Sequence, residues 1–116
     1  MVNWGLIFRT RDPDRDRATD AARIAAVQAA LAQAIESACR ERDGLSRRLE
    51  DVRARAAFLY DDQDASHEGR LGALEEQMVV GARRLADLTY QIAAFEALHA
   101  EAGNVLAGAP SSSVMP

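Results

Sequence analysis

Residues 71–106 read LGALEEQMVVGARRLADLTYQIAAFEALHAEAGNVL. Leu71, Leu74, Met78, Gly81, Leu85, Leu88, Ile92, Phe95, His99, Ala102 and Leu106 follow one another at alternating steps of three and four. That is the heptad signature of a helix buried along one narrow seam, and such a seam needs a partner helix. The partner lies upstream, where Ile24, Val27, Leu31, Ile35, Ala38, Arg42, Leu45, Leu49, Val52, Ala56 and Leu59 repeat the pattern. The two consecutive steps of four, from Val27 to Leu31 to Ile35, imply a local phase shift that relaxes the left-handed supercoil.

The chain is therefore expected to be all-α, a long antiparallel two-helix coiled-coil hairpin. Asp12 and Pro13 supply a cap and a first helical residue, with Asp14 and Asp16 facing the positive end of the helix dipole. Helix one is expected over about residues 13–60. Glu36 with Arg40, Asp43 with Arg47 and Asp51 with Arg55 place acid four residues before base, which favours one continuous helix through Gly44. The run DDQDASHEG at residues 61–69 breaks the pattern. Residues 61–65 form the turn, with Asp64 or Ser66 as the next cap, and helix two covers about residues 66–107. Gly103-Asn104 is an early stop for it, and Gly108 and Pro110 are firm ones. Residues 108–116 are a tail.

With the turn centred near Gln63, facing residues have numbers adding up to about 127. This register sets Leu45 against Gly81, Ala38 against Leu88 and Gln28 near His99, the last a polar pair of the kind that fixes alignment in an apolar seam. The two helices are expected to be nearly equal in length.

Composition narrows the class further. The chain has 116 residues, 48% apolar and 28% charged, but only 5% aromatic, and Ala is abundant. One domain built on close helix–helix contact fits these proportions better than a bulky globular core. All 14 basic residues are Arg and the net charge is −4, which gives no general attraction to nucleic acid or anionic lipid. The single cysteine, Cys39, cannot form an internal disulfide, and the first residues carry no basic leader and no cleavage site; both features point to a cytoplasmic protein. No stretch reaches the roughly 20 apolar residues that span a bilayer.

Several local features could carry function. Residues 1–11, MVNWGLIFRTR, form an apolar flap with Trp4, Leu6, Ile7 and Phe8, residues favoured as anchors in buried contacts. The flap docks on the hairpin, joins a partner or touches a membrane surface. Ala18 to Ala38 carries Ala on nearly every face, so this half of helix one can be approached from several sides. Val79, Val80, Tyr90, Ala94 and Leu98 lie outside the seam, mostly toward the open end. These features suggest a homodimer in which two hairpins meet at their open ends as a four-helix bundle.

The band Arg40, Arg42, Arg47, Arg48, Arg53 and Arg55 is the local basic excess, with Arg47 and Arg48 as candidate contact residues. Glu41, Asp43, Glu50 and Asp51 offset it, and no aromatic is interleaved for base stacking, which leaves little to drive phosphate binding. The turn cluster Asp61, Asp62, Asp64, Ser66, His67 and Glu68 misses the calcium-loop pattern, with His67 and Ala73 where Gly and Glu are needed. Cys39 has no His or second Cys within helical reach. The sequence holds no Gly-rich phosphate loop, no serine–histidine–acid set and no zinc spacing, so neither catalytic residues nor a metal nor a cofactor is expected.

At the level of architecture the hairpin resembles the helical-hairpin stalk proteins of bacterial flagellar and type III export systems, although no residue motif carries the likeness. The expected function is that of a non-enzymatic scaffold or adaptor, acting on itself and on another protein. The alternatives are a nucleic-acid-associated protein using the Arg40–Arg55 band and a stalk or chaperone component of a bacterial export system.

Overall fold

The computed structural model describes residues 12–62 and 65–108. Helix α1 runs from Pro13 to Asp62, a single 3-10 turn covers Ala65–His67, and helix α2 runs from Glu68 to Leu106. The two helices pack against each other along their length, and the molecule measures 93 × 33 × 21 Å. It is an all-α helical hairpin.

Both ends of α1 follow from local chemistry. The Asp12 carboxylate accepts the Asp14 N–H at 3.0 Å, and its carbonyl accepts the first intrahelical bond, from Asp16 N–H, also at 3.0 Å. Asp14 and Asp16 occupy the first turn, where carboxylates meet the dipole favourably. At the C-terminus of α1, Asp62 Oδ2 lies 2.6 Å from His67 Nε2, which ties the end of one helix to the start of the next. His67, rather than Asp64 or Ser66, occupies the cap position of α2, and it makes no side-chain capping bond. Gly103-Asn104 does not end α2. Termination waits for Gly108 at φ 75°, where the Ala107 N–H bonds to Gly103 O and the Gly108 N–H to Val105 O; glycine adopts that left-handed geometry without a Cβ penalty.

The seam differs from its expected course in two ways. First, the phase shift is absent. Half-burial runs through Ala21, Ile24, Gln28, Leu31 and Ile35 to the buried Ala38, an unbroken alternation of three and four, and Val27 is left 50% exposed. The heptad period outweighs the apolarity of one side chain, because a step to Val27 would rotate the whole upstream stripe off its partner. Second, the register is longer. A Cβ at Gly81 would lie 2.4 Å from Leu49 Cδ2, so Leu49, not Leu45, faces Gly81, and facing numbers add up to about 130. Gln28 accordingly places its amide against Gly103 rather than beside His99. The turn is centred on the 3-10 segment, two residues beyond Gln63.

The longer register has a consequence at the open end. Leu106 stands level with about residue 24, so α1 projects beyond α2 over residues 13–23, roughly 16 Å at 1.5 Å per residue. The helices are unequal, 50 residues against 39. The overhang is sustained by local ion pairs, Arg17 with Asp14 at 2.6 Å and Arg23 with Asp20 at 3.3 Å.

The core is concentrated toward the middle and the turn. Ala38, Leu49, Val52, Ala56, Leu59, Leu88 and Ile92 are buried. Cys39 and Leu45 pack against the cluster of Ala38, Leu88 and Ile92, in which the longer register sets Ala38 opposite Ile92 rather than Leu88. Arg42, within the stripe, is half-buried and turns its guanidinium to Asp43 at 3.1 Å, laying its aliphatic stem along the seam. Among the described residues none before Ala38 and none after Ile92 is buried.

Candidate interaction surfaces

Two side-chain contacts across the hairpin label its flanks. Arg84 grips Glu41 with Nε and Nη2 at 2.8 and 3.1 Å, and the Tyr60 hydroxyl donates to Glu75 Oε1 at 2.8 Å. These contacts lie on opposite sides of the seam. The hydrogen bond from Arg84, supported by its charge and that of Arg48, holds the Glu41 carboxyl below its ordinary range. Glu41 in turn raises Arg84. Accepting the phenolic proton, Glu75 raises Tyr60 above its ordinary value.

The heptad repeat carries each label toward the open end. Two heptads from Glu41 and Arg84 lie Val27 and Leu98, which are 50% and 54% exposed. Val105, one heptad further along α2, is exposed as well, so the flank that is ionic in the middle becomes branched and apolar at the end. On the opposite flank, heptads from Tyr60 lead to Ala32 and Ala25 of α1 and heptads from Glu75 to Ala82, Thr89 and Glu96 of α2, with Ala29 of α1 and Ala86, Ala93 and Ala100 of α2 in the neighbouring rows, all exposed. That flank is rich in methyl groups, with Thr89 and Glu96 among them. Val79, Val80, Tyr90 and Leu98 stand outside the seam as expected, whereas Ala94 is half-buried beside it.

Toward the turn the first flank opens into a groove of about 520 Å³ with Phe58 on one wall and Arg55 and Arg70 at its rim. A second groove, of about 540 Å³, continues it past Ala73 to Val80 and Gly81. Small residues leave this space: Ala54 and Ala73 line the first groove, and Ala73 and Gly81 the second. Phe58, 68% exposed, went unnoticed in the sequence because it falls between the seam positions Ala56 and Leu59. The signal available was an aromatic three residues after Arg55 on the face turned from the seam.

Trp4, Leu6, Ile7 and Phe8 lie outside the described residues. Arg47 and Arg48 are exposed beside a shallow depression shared with Arg40, Glu41 and Asp51. Half of the band is paired with neighbouring acids: Arg40 with Glu36 at 2.6 Å, Arg42 with Asp43, and Arg55 with Asp51 at 3.0 Å. Asp43 thus takes Arg42 rather than Arg47, the nearer guanidinium prevailing over the helical spacing of four. At the turn Asp62 is engaged by His67, Asp64 is outside the described residues, and among the described residues no three metal-ligating side chains converge. Cys39 is half-buried against the core cluster. No described helix is long and apolar enough to cross a membrane.

Comparison of the chain with protein-family models, with curated proteins and with solved structures finds no match.

Proposed function

We propose that the protein is a non-enzymatic adaptor that acts as a homodimer, two hairpins joining through the alanine flanks of their open ends while the turn ends project outward for another protein. One observation carries this reading: burial stops at Ala38 and Ile92, although Ala18 to Ala38 is the most apolar part of α1. Two helices bury only one stripe each, and the exposed methyl-lined faces beyond that stripe suit close approach by further helices at about 8–10 Å between axes. A second copy supplies such helices and completes a four-helix bundle. The projecting end, with Phe58 and the groove between Arg55 and Arg70, then lies about 50 Å from the junction, available to a different protein. Internal pairing of the Arg band favours this reading over polyanion binding.

Sedimentation equilibrium of the full chain is expected to give twice the 12.6 kDa chain mass, and the double variant Ala29→Glu/Ala93→Glu, which keeps strong helix formers, is expected to give the single mass with unchanged helical content. A wild-type chain that remains monomeric at tens of micromolar contradicts the reading.

A further inference from the structure

The two grooves near the turn share Ala73 and so form one trough. Along α1 it runs from Leu45 to Leu59, about 21 Å or four helical turns. Ala73 and Gly81 keep it open from the α2 side, and the exposed Phe58 and Val80 stand in it. An apolar trough of that length beside a two-helix seam has the dimensions of a site for a third helix, laid in by its own apolar stripe.

The charges around the trough select among such helices. Arg48 and Arg55 stand one heptad apart on α1, and Arg70 faces them from α2. Against these three guanidiniums the lining holds a single carboxylate, Glu76, so the trough is positive although the chain as a whole carries −4. Arg55 is also paired with Asp51 at 3.0 Å, but both side chains are exposed and a pair of that kind contributes little. The guanidinium can exchange it for an incoming acid. The same flank already shows the mode of contact: two heptads on from Arg70, Arg84 takes the Glu41 carboxylate with two nitrogens. A polyanion would satisfy the guanidiniums but leave Val80 facing water.

We infer that the trough receives an amphipathic helix of another protein, about four turns long, whose apolar stripe covers Phe58 and Val80 and is bordered on both sides by Glu or Asp. Flanking acid–base pairs of this type choose the partner and its orientation. The inference deepens the adaptor reading and rests on it for placing a protein at the turn end; it does not depend on the dimer.

The probe is a fluorescein-labelled peptide of about three heptads, with Leu at the two seam positions, Glu at the two flanking positions and Ala or Gln elsewhere, compared with the same peptide carrying Lys in place of Glu. Fluorescence anisotropy with the full chain is expected to show micromolar binding of the acidic peptide, weakening as salt rises, and binding of the basic one about tenfold weaker or less. Phe58→Ala is expected to weaken the acidic peptide about tenfold. Arg48→Glu/Arg70→Glu is expected to reverse the preference toward the basic peptide. All three positions are exposed, so helical content is expected to stay unchanged. Ala29→Glu/Ala93→Glu, which addresses the copy–copy junction, is expected to bind the acidic peptide as the wild type does. A monomeric wild type that still binds it contradicts the dimer alone, whereas a dimeric wild type that binds neither peptide overturns this inference alone. Equal binding of the two peptides overturns it as well, as does a preference that survives Arg48→Glu/Arg70→Glu. Displacement of the acidic peptide by single-stranded oligothymidylate overturns it too, since the trough would then be a polyanion site.

Discussion

Leu49 and Gly81 share one volume. The Leu49 side chain, 4% exposed, fills the space a side chain at position 81 would need, with Cδ2, Cγ and Cδ1 at 2.4, 3.1 and 3.3 Å from an added Cβ. This contact sets the register of the hairpin, because only at Gly81 can α2 accept the whole isobutyl group.

Gly81→Ala is therefore expected to destabilise the hairpin in thermal unfolding, overpacking at about 1–3 kcal/mol outweighing the roughly 1 kcal/mol that Ala gains in a helix. Gly72→Ala, where an added Cβ meets nothing within 4 Å, is expected to raise the melting temperature. In a Leu49→Ala background, itself less stable for its cavity, Gly81→Ala should change sign and become stabilising. Equal effects at positions 72 and 81 would remove the packing argument.

The ion pair of Glu41 and Arg84 makes a pH-dependent contribution of defined sign. With the Glu41 carboxyl lowered by the Arg84 hydrogen bond, the pair stabilises fully above the ordinary glutamate value of 4.5. That contribution is lost as the pH falls through the lowered folded value. Wild type is expected to melt above Glu41→Gln at pH 7, the gap closing in acid. A gap that widens in acid would contradict the assignment.

Tyr60 behaves in the opposite sense. Its folded value is raised by the bond to Glu75, so the contribution is complete below pH 10 and disappears as the pH rises through the folded value. Ultraviolet titration of Tyr90→Phe, which isolates the Tyr60 phenol, is expected to show a midpoint above the ordinary 10.0, moving down toward it when Glu75→Gln is added.

The Arg band provides the test against polyanion binding. On a heparin column the wild type is expected to elute without a salt gradient, and Arg47→Ala/Arg48→Ala to elute with it. Salt-dependent retention that the double variant abolishes would favour a nucleic-acid role instead.

The hairpin and its element limits were legible because periodicity is a cumulative signal: eleven positions on each helix agree on one stripe, and the helix ends fall within two residues of their expected places at Asp62 and Leu106. Register was less legible. It depends on where the turn is centred, and a shift of about three in the sum moves Gly81 from Leu45 to Leu49 without disturbing either stripe. Val27 was misplaced for a related reason, since at one position an apolar side chain and a conforming period disagreed, with Gln28 holding the seam. The unequal ends follow from register, which no linear pattern encodes, whereas the exposure of Phe58 was legible from its place off the stripe between Ala56 and Leu59. The Arg band was legible in composition, but its partners were only partly so, Arg42 taking Asp43 across one residue.

That α1 and α2 fold back within one molecule is tested most directly by electron–electron distance measurement between spin labels at positions 47 and 83, both exposed arginines, in a Cys39→Ala background diluted with unlabelled chain. Two antiparallel helices 8–10 Å apart place the labels roughly 20–35 Å from each other. A single distribution in that range is the expected result, and a distance near 54 Å, that of a continuous helix between the two positions, would contradict it.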